Sequence, residues 1–377
     1  MNEVIKPLYG PALRMKQGEL DGVSSLSQDV ANCVLPRFIV PPRNERDERQ
    51  LVLLESEAIP DISRTLSVSW SDRPALIDPT YIFDEYGRGS AACWLPAMFE
   101  RALEAGTQPI LAVLLDDIGT LEAGAIRRSL ADQAVKLAIR VPSGEMVGPE
   151  FSEALDSALS LIGLAPEDCA VIADFGGAEF SEPSKVAPII GGALEDLQDF
   201  GKWGLVIFQG TNYPETNPAG HDSCETWPRN EWEAWRQAVK FDPTTAEHMI
   251  FGDYAADCSK MSFGKSGAQA IRHLRYTTSS NWLIQRAPEK GCDLERMQKV
   301  CRQIVDSGHF AGSGFSSADR RIHRLANGMG GSGIATNWRQ WNTTHHITQV
   351  VSDIAKIRGI PIAVGPTEAV TAQLELL

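Results

Sequence analysis

Eight short apolar runs precede residue 258, and most of them are followed by a longer amphipathic stretch. The runs are rich in Val, Ile, Leu and Phe and seldom alternate with polar residues, which is typical of strands covered on both faces. The stretches between them, such as AMFERALEAG and EWEAWRQAV, carry apolar residues three or four positions apart and so predict helices. The runs span residues 9–15, 34–40, 73–79, 109–117, 135–141, 169–175, 203–210 and 248–254.

Repeated strand–helix units of this kind predict an α/β fold of the (β/α)₈ TIM-barrel type. All eight runs are then parallel strands of one closed sheet in chain order, because each crossover is long enough for a helix. An open doubly wound sheet is the alternative, but it normally has fewer strands or a Gly-rich phosphate-binding turn after the first strand. Neither feature is present, so we predict a barrel over residues 1–260 and a C-terminal extension over 261–377.

The extension does not continue the repeat. HLRYTTSSNWLIQRA predicts an extended segment, and DLERMQKVCRQIVDSG predicts a helix. The stretch 312–333 is dense in Gly, Ser and Arg, which indicates a long loop or cap over the barrel mouth. THHITQVVSDIAKIRG predicts a last helix that packs on the barrel wall.

Charge and cysteine content limit the classes of partner. A net charge of −14 opposes a broad nucleic-acid surface, because phosphate contacts need clustered Lys and Arg, but it permits a small anionic ligand in a pocket. The 7 cysteines are scattered without a CxxC pair, so we expect reduced thiols in the cytoplasm. No apolar run reaches the roughly 18 residues that cross a bilayer, and MNEVIKPLYG is not a signal sequence, so no membrane partner is expected.

Charged residues follow several of the predicted strands. In a barrel these strand ends meet at one mouth, where acids and bases together fit an anionic substrate and acid–base chemistry. The alternative is that each Asp only caps the following helix, and that each Arg or Lys only neutralises an acid. HxH, HExxH and Cys/His clusters are absent, so zinc is not expected and Mg²⁺ or Mn²⁺ is the remaining metal option. The strand-end residues that we select are Lys16, Asp78, Arg140, Asp174 and Asp253.

Two segments of the extension add candidate residues. RYTTSSNWLIQRA carries Arg275 and Tyr276, and TNWRQWNTTHHI carries Arg339, His345 and His346. Adjacent histidines near an arginine can form an acid–base or anion site. The alternative is a solvent-exposed helix start, where adjacent side chains point to different sides.

Motifs along nearly the whole chain resemble those of the beta protein family, whose members occur in bacteria and their phages and mobile elements. The motifs are YGPALRMKQGELDGVSSL, VLPRFIVPP, ALIDPTY, WGLVIFQGTNYP, FGDYA, RYTTSSNWLIQR, SGHFAGSGFSSADRRI and TNWRQWNTTHH. One departure is visible, because relatives often have an acid near the end of the second strand, where this chain has Ile39 and Val40.

The resemblance implies a role in antiviral defence, and it implies no established biochemical activity. The family positions that match are Lys16, Glu19, Asp78, Asp253, Tyr254, Arg275, Tyr276, Trp282, Asp319, Arg339, His345 and His346.

Together these observations predict that the barrel mouth binds a small anionic ligand, such as a phosphate compound, and that the reaction, if there is one, is hydrolysis. Lys16, Arg140 and Arg339 are expected to hold the anion, with Arg275 and Tyr276 as further binding residues. Asp78, Asp174 and Asp253 are expected to act as acid–base groups or to hold Mg²⁺, and His345 or His346 to move protons. We also expect residues 312–346 to bring Arg339 and His345 near Asp253. The alternative function is a non-catalytic sensor that recognises a phage component or a defence-system partner protein.

Overall fold

The computed structural model describes residues 7–45, 52–54, 59–130, 132–148, 150–260 and 271–365. Each of the eight apolar runs contains one strand of a single sheet, so their prediction as strands is confirmed. The strands are β1 Ala12–Arg14, β2 Arg37–Ile39, β3 Val52–Leu54, β4 Ile59–Pro60, β5 Pro74–Asp78, β6 Gln108–Leu114, β7 Leu137–Pro142, β8 Cys169–Asp174, β9 Leu205–Gln209, β10 Cys224–Pro228, β11 Met249–Ile250, β12 His273–Thr277 and β13 Asn281–Arg286.

The eight-stranded sheet has the order β1-β2-β5-β6-β7-β8-β9-β11, and every pairing in it is parallel. Because neighbouring strands run in register, their last residues lie at the same edge. Ile39 is opposite Asp78, and Asp174 is opposite Gln209. The sheet therefore collects the strand-end side chains on one side, as expected for a TIM-like α/β fold.

Backbone hydrogen bonds also connect the segment before β1 with the segment after β11. Tyr9 forms parallel bridges with Val34 and with Phe251. The N–H of Gly10 donates to the carbonyl of Phe251 at 2.9 Å, and the N–H of Ala12 donates to that of Asp253 at 2.7 Å. These contacts bring the two outer strands of the sheet together.

Helices flank the sheet, and several of them bury an apolar stripe in the main core. In α8, residues Phe151, Leu155, Leu159 and Ile162 recur at helical spacing and are buried in the main core. Burying one such side chain contributes about 1.5–3 kcal/mol. The helices are α1 Gln17–Ser24, α2 Gln28–Ala31, α3 Ser63–Ser69, α4 Thr80–Tyr86, α5 Ala91–Glu104, α6 Leu115–Thr120, α7 Ala123–Arg128, α8 Glu150–Ile162, α9 Pro183–Phe200, α10 Asn230–Phe241, α11 Thr245–His248, α12 Asp293–Val305, α13 Ser317–Ala326 and α14 Ala335–Arg358.

A second sheet is antiparallel and has the order β10-β13-β12, and β3 pairs with β4 in a separate antiparallel pair. The predicted single extended segment is a hairpin, β12–β13, and its turn is held by hydrogen bonds between Thr278 and Asn281. The turn sequence lacks Gly and Pro, which explains why the sequence did not indicate it. β10 lies before residue 260, inside the range predicted for the barrel, and pairs with β13.

The expectation that 312–333 is a loop is wrong in part, because this stretch contains α13. Ser316 caps that helix by accepting a hydrogen bond from the backbone N–H of Asp319 at 3.1 Å. The helix predicted over 293–308 is confirmed and spans Asp293–Val305, and the last helix begins at Ala335 rather than Thr344. No helix in the described ranges is long and apolar enough to span a membrane.

Helix α14 packs closely on α1 through two glycines of α1. A Cβ at Gly18 would lie 2.8 Å from the Cβ of Arg339, and a Cβ at Gly22 would lie 2.7 Å from the Cβ of Thr343. The hydroxyl of Thr344 also donates to the carbonyl of Gly22 at 2.9 Å. Because Gly18 and Gly22 have no side chains, the first turns of α1 and α14 can meet beside the strand ends.

Candidate functional site

The three strand-end aspartates share one local arrangement. Asp78, Asp174 and Asp253 each accept a hydrogen bond from the backbone N–H two residues further on, at 3.0, 2.8 and 2.8 Å. An Asp side chain commonly stabilises a turn in this way. These three carboxylates therefore follow apolar strand segments partly because each one closes the turn that comes next.

The first two of these aspartates also belong to an ion-pair network on the inner face of the sheet. Arg37 Nη1 lies 2.6 Å from Asp78 Oδ2, and Arg140 Nη1 lies 2.9 Å from Asp174 Oδ2. Arg140 Nε is 3.8 Å from Asp78 Oδ2, and the hydroxyl of Tyr254 donates to Asp174 at 3.1 Å. Burial raises the pKa of Asp78, but Arg140 and Arg37 outweigh it, so the pKa lies below its ordinary value. Asp78 is therefore an ionised, fixed partner of two arginines.

A polar cavity of about 590 Å³ opens beside this network. Arg140, Asp174 and Tyr254 contribute to its lining, together with Tyr213 and Ser259 from loops. The hydroxyl of Tyr213 is buried and has no hydrogen-bond partner among the residues that the structure describes. This cavity offers hydroxyl groups and one guanidinium to a bound molecule.

A three-arginine cluster surrounds Asp257, a residue that the sequence did not single out. Arg14 Nη2 donates to Asp257 Oδ2, and Arg339 Nη1 donates to the same oxygen at 2.8 Å. Arg275 Nη1 lies 2.9 Å from Asp257 Oδ1, which also accepts from the backbone N–H of Cys258 at 3.0 Å. Burial raises the pKa of Asp257, but the three arginines hold it well below its usual range. The carboxylate of Asp257 thus lies at the centre of the three-arginine cluster, and both of its oxygens have hydrogen-bond or ion-pair partners.

Among the described residues, positive charge exceeds negative charge in the three-arginine cluster. Glu19 is the second acid, and it lies 3.0 Å from Arg14 Nη2 but 3.7 Å from Arg339 Nη1. Burial and the nearby charges of Arg14 and Arg275 lower the pKa of Arg339, although Asp257 opposes this. Among the residues that the structure describes, three guanidiniums therefore face two carboxylates.

A smaller cavity, of about 240 Å³, adjoins the three-arginine cluster, and we call it the basic cavity. Arg14, Lys16 and Arg339 line it, as do Gln17 at the start of α1 and Thr336 at the start of α14. In the part of the chain that the structure describes, neither N-cap residue supplies a side-chain cap, although the N–H of Ile334, just before α14, donates to Asn337 Oδ1 at 3.0 Å. Lys16 Nζ pairs with Glu45 at 2.8 Å, and its side chain is 38% exposed.

His346 belongs to a buried chain of hydrogen bonds that connects α14 with both sheets. Its Nε2 lies 2.8 Å from Asp253 Oδ2 and 3.2 Å from the hydroxyl of Tyr9, and its Nδ1 lies 2.8 Å from the hydroxyl of Thr277. Burial lowers the pKa of His346 despite Asp253, so the ring is neutral at pH 7. Nε2–H then donates to Asp253, and Nδ1 accepts from Thr277. Asp253, Thr277 and His346 are each at most 1% exposed, so this chain is closed to solvent.

His345 points to the other side of α14. Its Nδ1 lies 2.9 Å from Asp319 Oδ2 and its Nε2 lies 2.7 Å from the carbonyl of Thr277. Tyr276 stacks on the ring at 3.8 Å between centroids and donates to Asp319 Oδ1 at 2.7 Å. The alternative of a solvent-exposed histidine pair is wrong, because both rings are buried in the middle of α14.

The predicted site residues thus form separate groups. Arg339 and Arg275 join the three-arginine cluster, and Asp78, Arg140 and Asp174 join the ion-pair network. Asp253 is hydrogen-bonded to His346, His345 is bonded to Asp319, and Arg339 is bonded to Asp257. In the described part of the chain, no group of three or more His, Cys, Asp or Glu side chains is placed to hold a metal ion.

Sequence reasoning missed several members of these groups, among them Tyr9, Arg37, Asp257 and Thr277. Arg37 could have been noticed as a lone charge inside an apolar run, and Asp257 as a second Asp close behind Asp253 in GDYAADC. Thr277 had no such signal, because its role depends on contact with a helix far along the chain.

The fold and these contacts define a TIM-like α/β protein with arginine-rich groups at its strand ends. Residues 9–352 match the family described as Beta protein, and the chain belongs to that family. Curated proteins provide no significant match to this chain.

Proposed function

We propose that this protein binds a small anionic ligand that contains phosphate, and that the ligand sits in the basic cavity. One observation carries the proposal: in the described part of the chain, the three cations Arg14, Arg275 and Arg339 face two carboxylates beside an open cavity. Guanidinium groups bind phosphate oxygens in a bidentate manner, and an anion there neutralises the surplus charge. Lys16, which also pairs with Glu45, adds an ammonium group to the lining of the cavity.

The helix termini support the same ligand class. The first turns of α1 and α14 both border the basic cavity, and N-terminal N–H groups and helix dipoles favour anions. The close approach of α14 to Gly18 and Gly22 is the packing that brings the two turns together.

Thermal unfolding with a panel of anions tests this proposal. Inorganic phosphate, pyrophosphate and nucleotides are compared with chloride, each with and without Mg²⁺ or Mn²⁺. Binding at 100 times Kd stabilises the folded chain by about 2.7 kcal/mol, which gives a clear rise in Tm. We expect Arg339→Gln and Lys16→Gln to weaken binding, the first by at least about tenfold. Arg236→Gln, which removes an exposed arginine paired with Glu233, is the matched control and is expected to bind normally.

If none of the anions tested raises the Tm of the wild-type protein, the proposal is wrong. So would an Arg339→Gln protein that binds the same anion as tightly as the wild type.

Hydrolysis of the bound ligand is the reaction that fits the acids at the mouth, and we assign the acid–base role to Asp174 and Tyr254, which line the larger cavity. A non-catalytic sensor is the second candidate, and one observation favours it. Asp78, Asp174 and Asp253 are each committed to a backbone N–H and to further partners, which is the behaviour of structural acids. Whether it is a hydrolase or a non-catalytic sensor, we assign the protein to antiviral defence, as the family resemblance implies.

The architecture behind the proposal is a closed barrel whose mouth is covered by the part of the chain after residue 260. The hydrogen bonds of Gly10 with Phe251 and of Ala12 with Asp253 support closure. The contacts of Arg275 and Arg339 with Asp257 support the cap. We assign the protein to the cytoplasm, which is consistent with 7 free cysteines.

A further inference from the structure

The side chain of Asp257 occupies the position that an oxyanion would take among the three arginines. Its Oδ2 accepts from Arg14 and Arg339, and its Oδ1 lies 2.9 Å from Arg275. Converging guanidiniums around one planar anion are how proteins hold phosphate and carboxylate groups. We propose that Arg14, Arg275 and Arg339 form an oxyanion site that Asp257 fills as an internal substitute, and that a phosphate-type ligand competes with Asp257 for it. This inference rests on the proposed function and adds a mechanism to it.

The charge balance favours exchange for a ligand with more than one charge. Asp257 supplies one negative charge to three guanidiniums, and the nearest additional acid, Glu19, is engaged with Arg14 through Nε at 3.0 Å. A phosphate monoester at neutral pH carries close to two charges and three acceptor oxygens. It therefore compensates the three guanidiniums better than the carboxylate does.

The backbone that carries Asp257 is held in an unusual conformation. Ala255 and Ala256 have φ values of 49° and 59°, which place two successive alanines in the left-handed region. Each such residue costs roughly 1–2 kcal/mol relative to a right-handed conformation. Arg275 helps to hold this turn, since its Nη1 also donates to the carbonyl of Ala256 at 2.7 Å. Release of Asp257 by a competing anion removes a contact that maintains the strained turn.

The same segment separates the two cavities. The carboxylate of Asp257 faces Arg14 and Arg339 of the basic cavity, whereas its carbonyl accepts from Thr211, which lines the larger cavity, at 2.9 Å. Cys258 and Ser259, the next residues, line the larger cavity as well. Displacement of Asp257 therefore links anion binding to the shape of the cavity that contains Arg140 and Asp174.

Calorimetric titration of inorganic phosphate and of pyrophosphate tests the competition. We expect Asp257→Asn to bind at least about tenfold more tightly than the wild type, because the internal competitor loses its charge while its shape is kept. Asp222→Asn, which makes the same change in an exposed pair with Lys299, is expected to bind like the wild type. If wild type binds and Asp257→Asn binds equally or more weakly, the inference is wrong and the proposed function stands. If neither protein binds, both are wrong.

A measurement on the wild type covers the case in which Asp257→Asn does not fold. Hydrogen exchange is followed for the peptide that contains Cys258, whose N–H donates to Asp257 Oδ1. Saturating phosphate is expected to speed exchange at Cys258, because Asp257 leaves its place. Exchange that is unchanged or slower would mean that Asp257 is a permanent structural partner of the arginines, and would overturn the inference.

Discussion

Replacement of Asp253 tests whether the buried chain of hydrogen bonds holds α14 on the sheet. The carboxylate accepts from the hydroxyl of Tyr9, from His346 Nε2 at 2.8 Å and from the N–H of Ala255 at 2.8 Å. Asp253→Ala leaves these three buried donors without an acceptor, at about 1–3 kcal/mol for each. Because such costs are not additive, we expect a total loss of stability on the order of 3–5 kcal/mol.

Asp253→Asn is expected to lower the free energy of unfolding by much less, about 1–2 kcal/mol. The neutral ring of His346 can exchange tautomers, so that Nε2 accepts from the new amide and Nδ1 donates to Thr277. All the hydrogen bonds then remain, and only the charge is lost. Burial raises the pKa of Asp253, but His346 and Arg229 outweigh it, so the pKa is below its ordinary value. The stability that the charge supplies is therefore present above about pH 4 and is lost as the pH falls further.

Urea unfolding at pH 7, followed by circular dichroism and by tryptophan fluorescence, measures both variants. Asp242→Ala is the matched control, because Asp242 accepts from the N–H two residues further on at 3.0 Å but is exposed. It is expected to cost about 0.5–1 kcal/mol. An Asp253→Ala protein within about 1 kcal/mol of the wild type would refute the reasoning, as would equal losses for Ala and Asn. Neither variant at Asp253 is expected to change anion affinity, since the residue does not line the basic cavity.

Three further predictions concern packing, pH and the second histidine. Gly22→Ala is expected to destabilise the protein by about 1–3 kcal/mol in thermal unfolding, because the new Cβ clashes with α14. Gly191→Ala, whose Cβ would meet no other atom, is expected to be neutral or stabilising in the same assay. The reverse order would contradict the packing account. Burial raises the pKa of Glu231 to about 8, so between about pH 4.5 and 8 the folded chain keeps a proton that the unfolded chain releases, and stability falls as the pH rises through this window. The Tm of Glu231→Gln is expected to depend less on pH in this range. A pH dependence equal to that of the wild type would contradict the raised pKa. Asp319→Asn is expected to cost about 1.5–3 kcal/mol in urea unfolding, because His345 loses a charged acceptor, and a cost near zero would contradict that pairing.

The strands of the central sheet were predictable because their signal is local. A strand covered on both faces is apolar along its whole length, and this holds for segments such as 109–117 and 169–175 without knowledge of their neighbours. β10 escaped prediction because it is an edge strand, mostly exposed, with Pro228 at its end. Helix α13 was hidden by the glycines on both sides of it, although its Ser316 cap is a recognisable start signal.

The partners of the charged residues were not predictable in the same way. Arg14 and Asp257 are far apart in the chain, and nothing in the spacing of either indicates the other. The partners of His345 and His346 could not be predicted for the same reason. Their adjacency on a helix predicts that they face different sides, but only the packing of α14 between two sheets decides that one meets Asp253 and the other Asp319.

The most direct test of the anion-binding proposal is a crystal structure of the protein grown with pyrophosphate. We predict density for the anion in the basic cavity, with oxygens within hydrogen-bond distance of Arg14, Lys16 and Arg339, and Asp257 turned away from at least one arginine. Pyrophosphate density at another place, or a basic cavity without the anion at saturating concentration while all three arginines remain on Asp257, would contradict the account.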